Sequence, residues 1–458
     1  MRIAVIGSGV AGLGAAWLLA QQHEVVLYEK STRLGGHSNT FRAHAYGRDI
    51  DVDTGFIVYN RANYPDLTAL FAHLAVATES SDMSFAVSLG DGAFEYGSGD
   101  LAVFGQPANL LDPRFRAMLR DLLRFNRLGL GLARELPPAD MLLGEWLARH
   151  RLDGWFAERY LQPLAASIWS SSLDDILRFP LRQFVDFFAE HRLFNIWRQR
   201  RWRTVSGGSR RYVEKLAGPL LARARLGHGV ERIERSTHSV KLRDSAGQVD
   251  RFDQVVLACH ADEALAMLDQ PTPLERRILG AFRYAPNRTV LHTDAGLMPR
   301  RRRVWSSWNF VAPLDRTAQA DAPIAVTYWM NRLQNIPRRW PIFVSNNPGR
   351  QPDPAAVLGE FAYTHPLFDR AAFAAQAELA RLQGAHRSWF CGSYFGYGFH
   401  EAALSSGLDV AEALGVRRPW ANEPRRTRKS GKIGIAPPLP LPDTVTGLPR
   451  QRLTQAED

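Results

Sequence analysis

Three glycines near the N-terminus have the spacing of a turn that binds phosphate. Gly7, Gly9 and Gly12 stand between an apolar, strand-like run and a pattern of helical periodicity. In such a turn the first glycine makes the bend, the second lets the backbone approach a pyrophosphate, and the third lets helix and strand pack closely. The amides at the helix start, including those of Val10 and Ala11, would face the phosphate charge. These residues predict a dinucleotide-binding site.

Two further segments indicate which dinucleotide is bound. Glu29 ends the second predicted strand, where a carboxylate accepts hydrogen bonds from a ribose hydroxyl and disfavours a 2′-phosphate. A second glycine pair, Gly35 and Gly36, follows, and His37 and Ser38 come directly after it. The amides of this pair could reach the far side of the pyrophosphate, which a nicotinamide site does not need. The sequence therefore predicts FAD as the cofactor.

The same residues carry a resemblance to a known family. Glu29 followed by Gly35 and Gly36 is similar to the signature of the flavin-containing amine oxidoreductase superfamily, which includes monoamine oxidases and phytoene desaturases. Near the C-terminus, Gly392 and the run from 400 to 407 resemble its closing flavin motif. The resemblance implies that Gly392, Glu401 and Ala402 contact the cofactor. It also implies that Ala402 begins a helix whose N-terminus points at the flavin pyrimidine, where it would stabilise the reduced, anionic ring.

Several internal segments are similar to a narrower group, the bacterial predicted NAD/FAD-binding proteins, and the likeness covers about residues 1–420. The matching segments are 53–60, 168–170, 207–209 and 398–401. The resemblance implies that Gly55 and Phe56 lie beside the ribityl chain and flavin ring, and that the backbone of Val230 contacts adenine. Some members of this group are thought to act on lipid acyl chains, which implies an apolar substrate.

Histidine is the residue type here that could move a proton near neutral pH. His37, His260 and His400 fall in or beside the flavin-related segments, and His400 is the candidate catalytic residue. The alternative is that His400 only positions the start of the helix and that His260 only ends a strand. Many amine oxidases of the superfamily that this sequence resembles have a lysine near flavin N5, but no lysine here stands at a matching position. No second ligand stands at metal-binding spacing, so no metal site is predicted.

These candidates require an α/β fold to position them. We predict a Rossmann-type FAD-binding domain of the glutathione-reductase-like type, built from residues 1–75, 205–270 and 385–420. A second domain, of mixed helical and β structure, would hold the substrate and comprise residues 76–204 and 271–384. Residues 421–458 are rich in arginine and proline and cannot form a packed core, so a disordered tail is predicted.

Periodicity and punctuation give the expected elements. The first helix is predicted over 13–22, a helical stretch over 112–202, a strand over 388–394 and the last helix over 402–414. Tryptophan-rich runs at 305–309 and 327–331 are interpreted as a pocket wall for an apolar substrate, or alternatively as core packing.

Composition indicates the cellular location of the protein and the classes of partner that it could bind. Two cysteines and the lack of a long apolar run predict a cytoplasmic protein without transmembrane helices. The formal charge of +11 is spread along the chain, which gives no nucleic-acid site. The aromatic and arginine-rich stretch 184–203, and the run from Arg300 to Arg303, predict peripheral contact with a membrane. The oligomeric state stays open.

The expected function is oxidation of a C–N or C–C bond in an apolar substrate, with a lipid acyl chain as one candidate, by hydride transfer to flavin N5. Two alternatives stay open from the sequence. One is an isomerase or mutase that uses flavin without net redox change. The other is a non-catalytic flavin-binding partner in a lipid-modifying complex. The fold hosts many chemistries, so fold analogy does not separate these alternatives.

Overall fold

The computed structural model describes residues 1–98, 101–135, 137–138, 140–195, 200–314 and 324–421. The predicted tail therefore lies outside the described residues, apart from its first position. The α-helices of the described part are α1 Val10–Leu19, α2 Pro65–His73, α3 Pro113–Glu135, α4 Leu143–Arg149, α5 Gln162–Trp169, α6 Leu173–Leu177, α7 Leu181–Glu190, α8 Arg210–Ala217, α9 Ala261–Met267, α10 Pro273–Leu279, α11 Met330–Leu333, α12 Arg370–Gln376 and α13 His400–Ala413.

The strands of the described part fall into several sheets. In chain order they are β1 Arg2–Ile6, β2 Glu24–Glu29, β3 Thr40–Ala45, β4 Arg48–Asp53, β5 Val58–Tyr59, β6 Thr78–Ser81, β7 Phe85–Leu89, β8 Phe94–Gly97, β9 Trp202–Val205, β10 Ala224–Leu226, β11 Val230–Arg235, β12 Val240–Asp244, β13 Val249–Phe252, β14 Gln254–Leu257, β15 Arg283–His292, β16 Trp308–Ala312, β17 Val326–Trp329, β18 Phe343–Asn346, β19 Val357–Leu367 and β20 Ser388–Phe390.

A parallel five-stranded sheet carries the N-terminal turn. Its strand order is β10-β2-β1-β14-β20, and every pair within it is parallel. The sheet thus joins three stretches that are far apart in sequence, and an antiparallel sheet β11-β12-β13 accompanies it. The α/β class is confirmed, whereas the domain boundaries stay a prediction.

Helix α1 lies three residues earlier in the chain than its periodicity indicated. It begins at Val10 instead of residue 13 and ends at Leu19 instead of residue 22. Gly9, with φ −61° and ψ 175°, is the residue before the first helical residue. The second half of the glycine motif therefore already belongs to the helix. All residues of α1 are buried, because the helix packs between the sheet and α13. A Cβ at Gly407 would lie 2.2 Å from the carbonyl oxygen of Ala11, which shows how closely the two helices approach.

The second large sheet and the middle helices form a separate core. The sheet has the order β19-β15-β18-β17-β16-β7-β8, and helices α3 to α7 fill the stretch that was predicted to be helical. Phe184, Phe187, Phe188 and Phe194 are buried in this core, which corrects the prediction of a membrane-surface segment over 184–203; within it, residues 196–199 lie outside the described part. These aromatic rings pack against each other and against α3 instead of facing solvent.

Two other expectations change in the structure. Strand β20 ends at Phe390 instead of residue 394, because the chain turns at Gly392 into a short 3₁₀ helix, Ser393–Phe395. Trp305 and Trp329 pack edge to face, 5.4 Å apart, in a small core cluster with Phe343, which favours the alternative of core packing for these two residues. Of the helices in the described ranges, none is long and apolar enough to cross a bilayer.

Candidate active site

The three glycines of the N-terminal turn have different surroundings. Gly7 adopts φ +99°, and a Cβ on it would lie 2.7 Å from the carbonyl oxygen of Ala258 at the end of β14. A Cβ on Gly12 would lie 1.9 Å from the carbonyl oxygen of Gly7, so the turn closes only with glycine there. A Cβ on Gly9 would meet no atom of the described chain within 4 Å. Gly9 therefore has no packing reason to be glycine, which fits a requirement for close approach by a phosphate.

The helix start behind this turn provides the donors for an anion. The first amides of an α-helix have no acceptor within the helix, and here they include those of Val10 and Ala11. The residue that caps the helix is glycine, so no side chain is hydrogen-bonded to these amides. Free amides and the positive end of the helix dipole together suit a pyrophosphate.

Glu29 is held in place by the turn itself. One of its carboxylate oxygens accepts hydrogen bonds from Ser8, from the backbone nitrogen at 2.9 Å and from Oγ at 2.6 Å. The other oxygen accepts from the backbone nitrogen of Ser31 at 2.8 Å. The oxygen bonded to Ser31 accepts only this one hydrogen bond, so its second lone pair can still accept a ribose hydroxyl. The backbone nitrogen of His228 donates to the carbonyl oxygen of Glu29 at 3.1 Å, which brings the half-buried Val230 and its strand to this end of β2.

The second glycine pair lies directly against the first turn. The backbone nitrogen of Gly35, at φ +107°, donates to the carbonyl oxygen of Ser8 at 3.0 Å. A Cβ on Gly36, at φ +56°, would lie 3.0 Å from the Cα of Gly9. The structure thus brings together the two glycine motifs that the sequence placed on opposite sides of the pyrophosphate.

His37 and Gly55 join the segment 53–56 to this pair. The carbonyl oxygen of His37 accepts from the backbone nitrogen of Phe56 at 2.8 Å, and a Cβ on Gly55 would lie 2.2 Å from that oxygen. The His37 ring lies 5.0 Å from the ring of Tyr363 and 5.4 Å from that of His365. Its Nε2 is buried and has no hydrogen-bond partner among the described residues. An orphaned ring nitrogen at this place fits a bound polar group such as the flavin.

His400 sits at the centre of a small polar network. Its Nε2 is 2.7 Å from the hydroxyl of Tyr212 and 2.9 Å from Oγ of Ser38, and those two hydroxyls also contact each other. The ring stacks on Phe56 with 3.8 Å between centroids. Burial lowers the pKa of His400 to about 3, so the imidazole is neutral at physiological pH. It can therefore donate or accept one hydrogen bond, but it is not a ready source of a proton.

Helix α13 begins at His400, two residues before the predicted start at Ala402. Phe399 has the extended backbone of the preceding residue, so the helix N-terminus lies at the His400 network. Glu401 is directed elsewhere, since its carboxylate accepts from the backbone nitrogens of Asp66 and Leu67 at 2.9 and 3.0 Å. It anchors the start of α2, and any contact with the cofactor would come from its backbone.

The remaining two predicted positions lie close to this helix. Ala402 packs against the loop before α13, since a Cβ on Gly396 would lie 2.7 Å from the Cβ of Ala402. The backbone nitrogen of Gly392 donates to Oγ of Ser406 at 3.0 Å. These contacts fix the loop between β20 and α13 over the end of the parallel sheet.

His260 lies apart from the His400 network. It precedes α9, and its ring stacks on Tyr284 at 4.2 Å between centroids. Burial lowers the pKa of His260 as well. Among residues 1–98, 101–135, 137–138, 140–195, 200–314 and 324–421, no three His, Cys, Asp or Glu side chains are grouped so that they could hold a metal ion.

Asp53 is a buried carboxylate that the sequence analysis did not single out. It accepts from Oγ1 of Thr40 at 2.6 Å, from the backbone nitrogen and Oγ of Ser209 at 2.9 and 2.8 Å, and from Nε2 of Gln334 at 2.9 Å. Burial raises its pKa to about 6, and the hydrogen bonds from Thr40 and Ser209 oppose that rise. Asp53 thereby ties the segment beside Gly55 to the start of α8. The shared motif signal at 53–60 and 207–209 could have revealed this contact.

Buried histidines predict an acid-sensitive fold. Burial lowers the pKa values of His191, His292 and His365 to about 4, whereas a histidine in an unfolded chain titrates near ~6.5. Below about pH 6.5 the unfolded chain therefore binds more protons than the folded chain. The stabilisation that depends on these histidines is complete above that pH and is lost as the pH falls towards 4. Each of these histidines should lower the free energy of unfolding by about 1.4 kcal/mol at pH 5.5 relative to pH 8.

The matched pair His292→Gln and His238→Gln tests this expectation, since the first side chain is buried and the second is exposed. The free energy of unfolding would be measured for each at pH 8 and pH 5.5. The pH dependence should shrink by about 1.4 kcal/mol only in the His292 variant. Equal pH dependence in both variants would contradict the assigned cause.

Comparison with known proteins agrees with this geometry. The sequence profile of the flavin-containing amine oxidoreductase family matches residues 10–307, more than half of the chain. AofH of Mycobacterium tuberculosis, which is assigned as a flavin-containing monoamine oxidase, is 24% identical over 341 residues, which are 71% of this chain and 70% of AofH.

Solved structures share the fold at low identity. A fatty acid isomerase from P. acnes that produces CLA has a TM-score of 0.62 and 16% identity, covering 91% of this chain and 99% of its own. Cyclohexylamine oxidase from Brevibacterium oxydans has a TM-score of 0.64 and 15% identity, covering 90% of this chain and 99% of its own.

Fold and sequence match together define an FAD-dependent oxidoreductase of mixed α/β structure. The chain belongs to the flavin-containing amine oxidoreductase family. The resemblance inferred from Glu29 and the paired glycines is thereby confirmed, and so is FAD as the cofactor.

Proposed function

We propose that this oxidoreductase takes a hydride from a carbon of an apolar substrate and so oxidises a C–N or C–C bond. The observation that carries the proposal is a group of partly accessible aromatic side chains around His400. Phe56 is far in sequence from Tyr397 and Phe399, and each of the three is half-buried instead of fully packed. Such a surface binds an apolar substrate and excludes water from the reacting atoms.

The residues for the cofactor are those of a Rossmann-type FAD domain of the glutathione-reductase-like type. The amides from Gly9 to Gly12 would hold the pyrophosphate, Glu29 the ribose, and the loop of Gly36 and His37 the flavin end. When bound, FAD supplies the hydride acceptor. The N-terminus of α13, a helix of 14 residues, carries partial positive charge, which favours a negatively charged reduced ring.

The aromatic surface continues into the helical core. Phe187 stacks on Phe399 at 5.3 Å and on His191 at 4.0 Å between centroids. Tyr397 lies 5.5 Å from Phe187, and the charges of Asp186 and Glu190 act with burial to raise the pKa of that tyrosine. Aromatic rings suit an alkyl chain, and the two carboxylates would attract an amine. The proposal therefore includes oxidation of either a C–N bond or a C–C bond.

The lysines of the described part do not resemble a catalytic lysine. Lys30 pairs with Glu263, and Lys241 pairs with Glu234. Lys215 donates to backbone carbonyls after α2 at 2.6 and 3.0 Å. The lysine that many amine oxidases keep near flavin N5 has no counterpart among these three, and the proposed reaction relies on orientation and desolvation of the substrate.

His400 is expected to orient the site through its neutral ring. Replacing it with alanine removes the stacking on Phe56 and the bonds to Tyr212 and Ser38, but those two hydroxyls still bond each other. Because it loosens the positioning of the site, His400→Ala should slow substrate reduction of the flavin about 100-fold with little loss of bound FAD. Stopped-flow absorbance measures that rate, and His44→Ala, at an exposed histidine, is the control. An unchanged rate would exclude His400 from the reaction.

Anaerobic titration of the FAD-loaded protein tests the proposed reaction. A lipid extract and a series of alkyl amines would be added separately, the flavin absorbance followed, and air then admitted. Bleaching by either class supports the proposal and identifies the bond type. A shifted double bond in the lipid without bleaching would favour the isomerase alternative, which the shared fold of the fatty acid isomerase accommodates. No bleaching and no product with either class would contradict the proposal.

A further inference from the structure

Helix α3 has an outer face of unusual composition. Its exposed positions recur at intervals of three and four residues, as on one side of a helix. Pro113, Arg114 and Glu135 are exposed at the two helix ends, and the exposed positions between them are arginines and two leucines: Arg116, Arg120, Leu123, Arg124, Arg127, Leu130 and Arg134. We call this set the α3 face. Leu123 is 60% exposed although it lies between arginines, and the acidic Asp121 lies towards another side of the helix.

An apolar patch adjoins the start of the α3 face. It lies on two short 3₁₀ helices, Ala102–Phe104 and Pro107–Leu111. Leu101 is 76% exposed and Leu111 is 80% exposed. Nη1 of Arg116 donates to the carbonyl oxygen of Leu110 at 3.0 Å, which makes the patch and the α3 face continuous.

A second group of arginines borders the same patch. Arg302 and Arg303 are exposed on another short 3₁₀ helix, Arg302–Val304. A Cβ on Gly105 would lie 2.5 Å from Val304 and 3.4 Å from Cγ of Arg303, so this helix packs against the patch. Exposed leucines are thus flanked by arginine on two sides.

We propose that the α3 face and the adjoining patch dock on the surface of a bilayer that contains anionic lipid. Arginines near such a surface are attracted to the headgroups, and exposed leucines beside them can enter the acyl boundary. A nucleic acid would satisfy the arginines alone and leave the leucines in water. The combination of both residue types therefore selects lipid as the occupant. This surface differs from the stretch 184–203, whose aromatic residues are buried.

The proposed membrane surface is connected to the site through one layer of packing. On its inner side α3 contacts α7, where Phe125 lies 6.3 Å from Phe188. On α7, Phe187 stacks on Phe399, the residue before His400. Docking through α3 would hold the aromatic surface close to the bilayer, from which an apolar molecule could enter. Membrane docking goes beyond the proposed reaction and is measured without any substrate.

Flotation of the full chain with vesicles tests the proposal. Vesicles of phosphatidylcholine and of phosphatidylcholine mixed with phosphatidylglycerol would be compared. The protein should float with the mixed vesicles and stay behind with phosphatidylcholine alone. The triple variant Arg120→Glu, Arg124→Glu, Arg127→Glu should lower binding about a hundredfold. The matched control reverses exposed arginines on other elements, Arg223→Glu, Arg243→Glu and Arg251→Glu, and should reduce binding far less.

The apolar part of the surface has its own variant. Leu101→Asp with Leu111→Asp should weaken binding to the mixed vesicles, whereas Leu221→Asp, at a leucine 59% exposed elsewhere, should not. Bound FAD in each variant reports that the chain has folded. Failure of the wild-type chain to float overturns the proposal. So does equal loss in the two arginine triples, or equal binding by the leucine variants and wild type.

Discussion

A Gly9→Ala variant is expected to fold normally and to lose FAD. The backbone of Gly9, at φ −61° and ψ 175°, is one that alanine adopts without strain. An added methyl group would meet no described atom of the chain within 4 Å, so the fold has no reason to resist it. The methyl group would instead stand where the pyrophosphate must approach the helix start. The affinity for FAD should fall about a hundredfold, equivalent to about 2.7 kcal/mol.

The control for this experiment is another glycine with open surroundings. Gly131 lies in α3, far from the turn in the fold, and its added Cβ would also meet nothing within 4 Å. Gly131→Ala should keep the FAD content of the wild type, and its melting temperature should not fall, because alanine favours a helix more than glycine does. FAD per chain would be measured after reconstitution and gel filtration. Normal FAD content in Gly9→Ala would mean that the pyrophosphate lies elsewhere.

Loss of the Asp53 carboxylate is expected to destabilise the fold by several kcal/mol. The side chain is 1% exposed and accepts from Thr40, Ser209 and Gln334, and Asp53→Ala would remove the acceptor of all three donors. Each unmade buried hydrogen bond costs about 1–3 kcal/mol, so the free energy of unfolding should fall by about 3–5 kcal/mol. Urea denaturation measures this fall directly.

Asp51 provides the matched control on the same strand. It is partly exposed and pairs with Arg42 and Arg210, and such pairs contribute about 0–1 kcal/mol. Asp51→Ala should therefore change the free energy of unfolding by less than about 1 kcal/mol. If Asp53→Ala and Asp51→Ala were equally mild, the hydrogen bonds assigned to Asp53 would not be formed.

The N-terminal turn was predictable because its chemistry is local. Strand, glycine turn and helix follow each other within about thirty residues, and each glycine has a backbone reason that spacing alone reveals. Gly35 and Gly36 were identified for the same reason. The structure places Gly36 against Gly9, and the backbone nitrogen of Gly35 donates to the carbonyl oxygen of Ser8 in the same turn.

Other features depended on contacts between distant segments. Tyr212 and Ser38 meet His400 across three separate elements, and no spacing in the sequence announces that contact. The stretch 184–203 was ambiguous for another reason, because aromatic residues beside arginines suit a membrane surface and a buried helix equally well. Phe184 is fully buried, and only packing against α3 and its neighbours decides between the two.

The start of α13 shows the limit of motif matching. A family motif marked Ala402 as the first helical residue, whereas the helix begins at His400. Glu401 lay inside the motif, yet its carboxylate holds the amides of α2. A motif thus located the helix N-terminus to within two residues, but it did not say which side chains face the site.

Binding of FAD at the N-terminal glycine turn underlies every other role assigned to this chain. The most direct measurement is the absorbance spectrum of the purified full chain after incubation with FAD and removal of free cofactor by gel filtration, with NAD as a parallel incubation. We expect a flavin spectrum at about one FAD per chain, unaffected by NAD in competition. A chain that keeps no flavin after reconstitution, or that releases FAD to NAD, would contradict it.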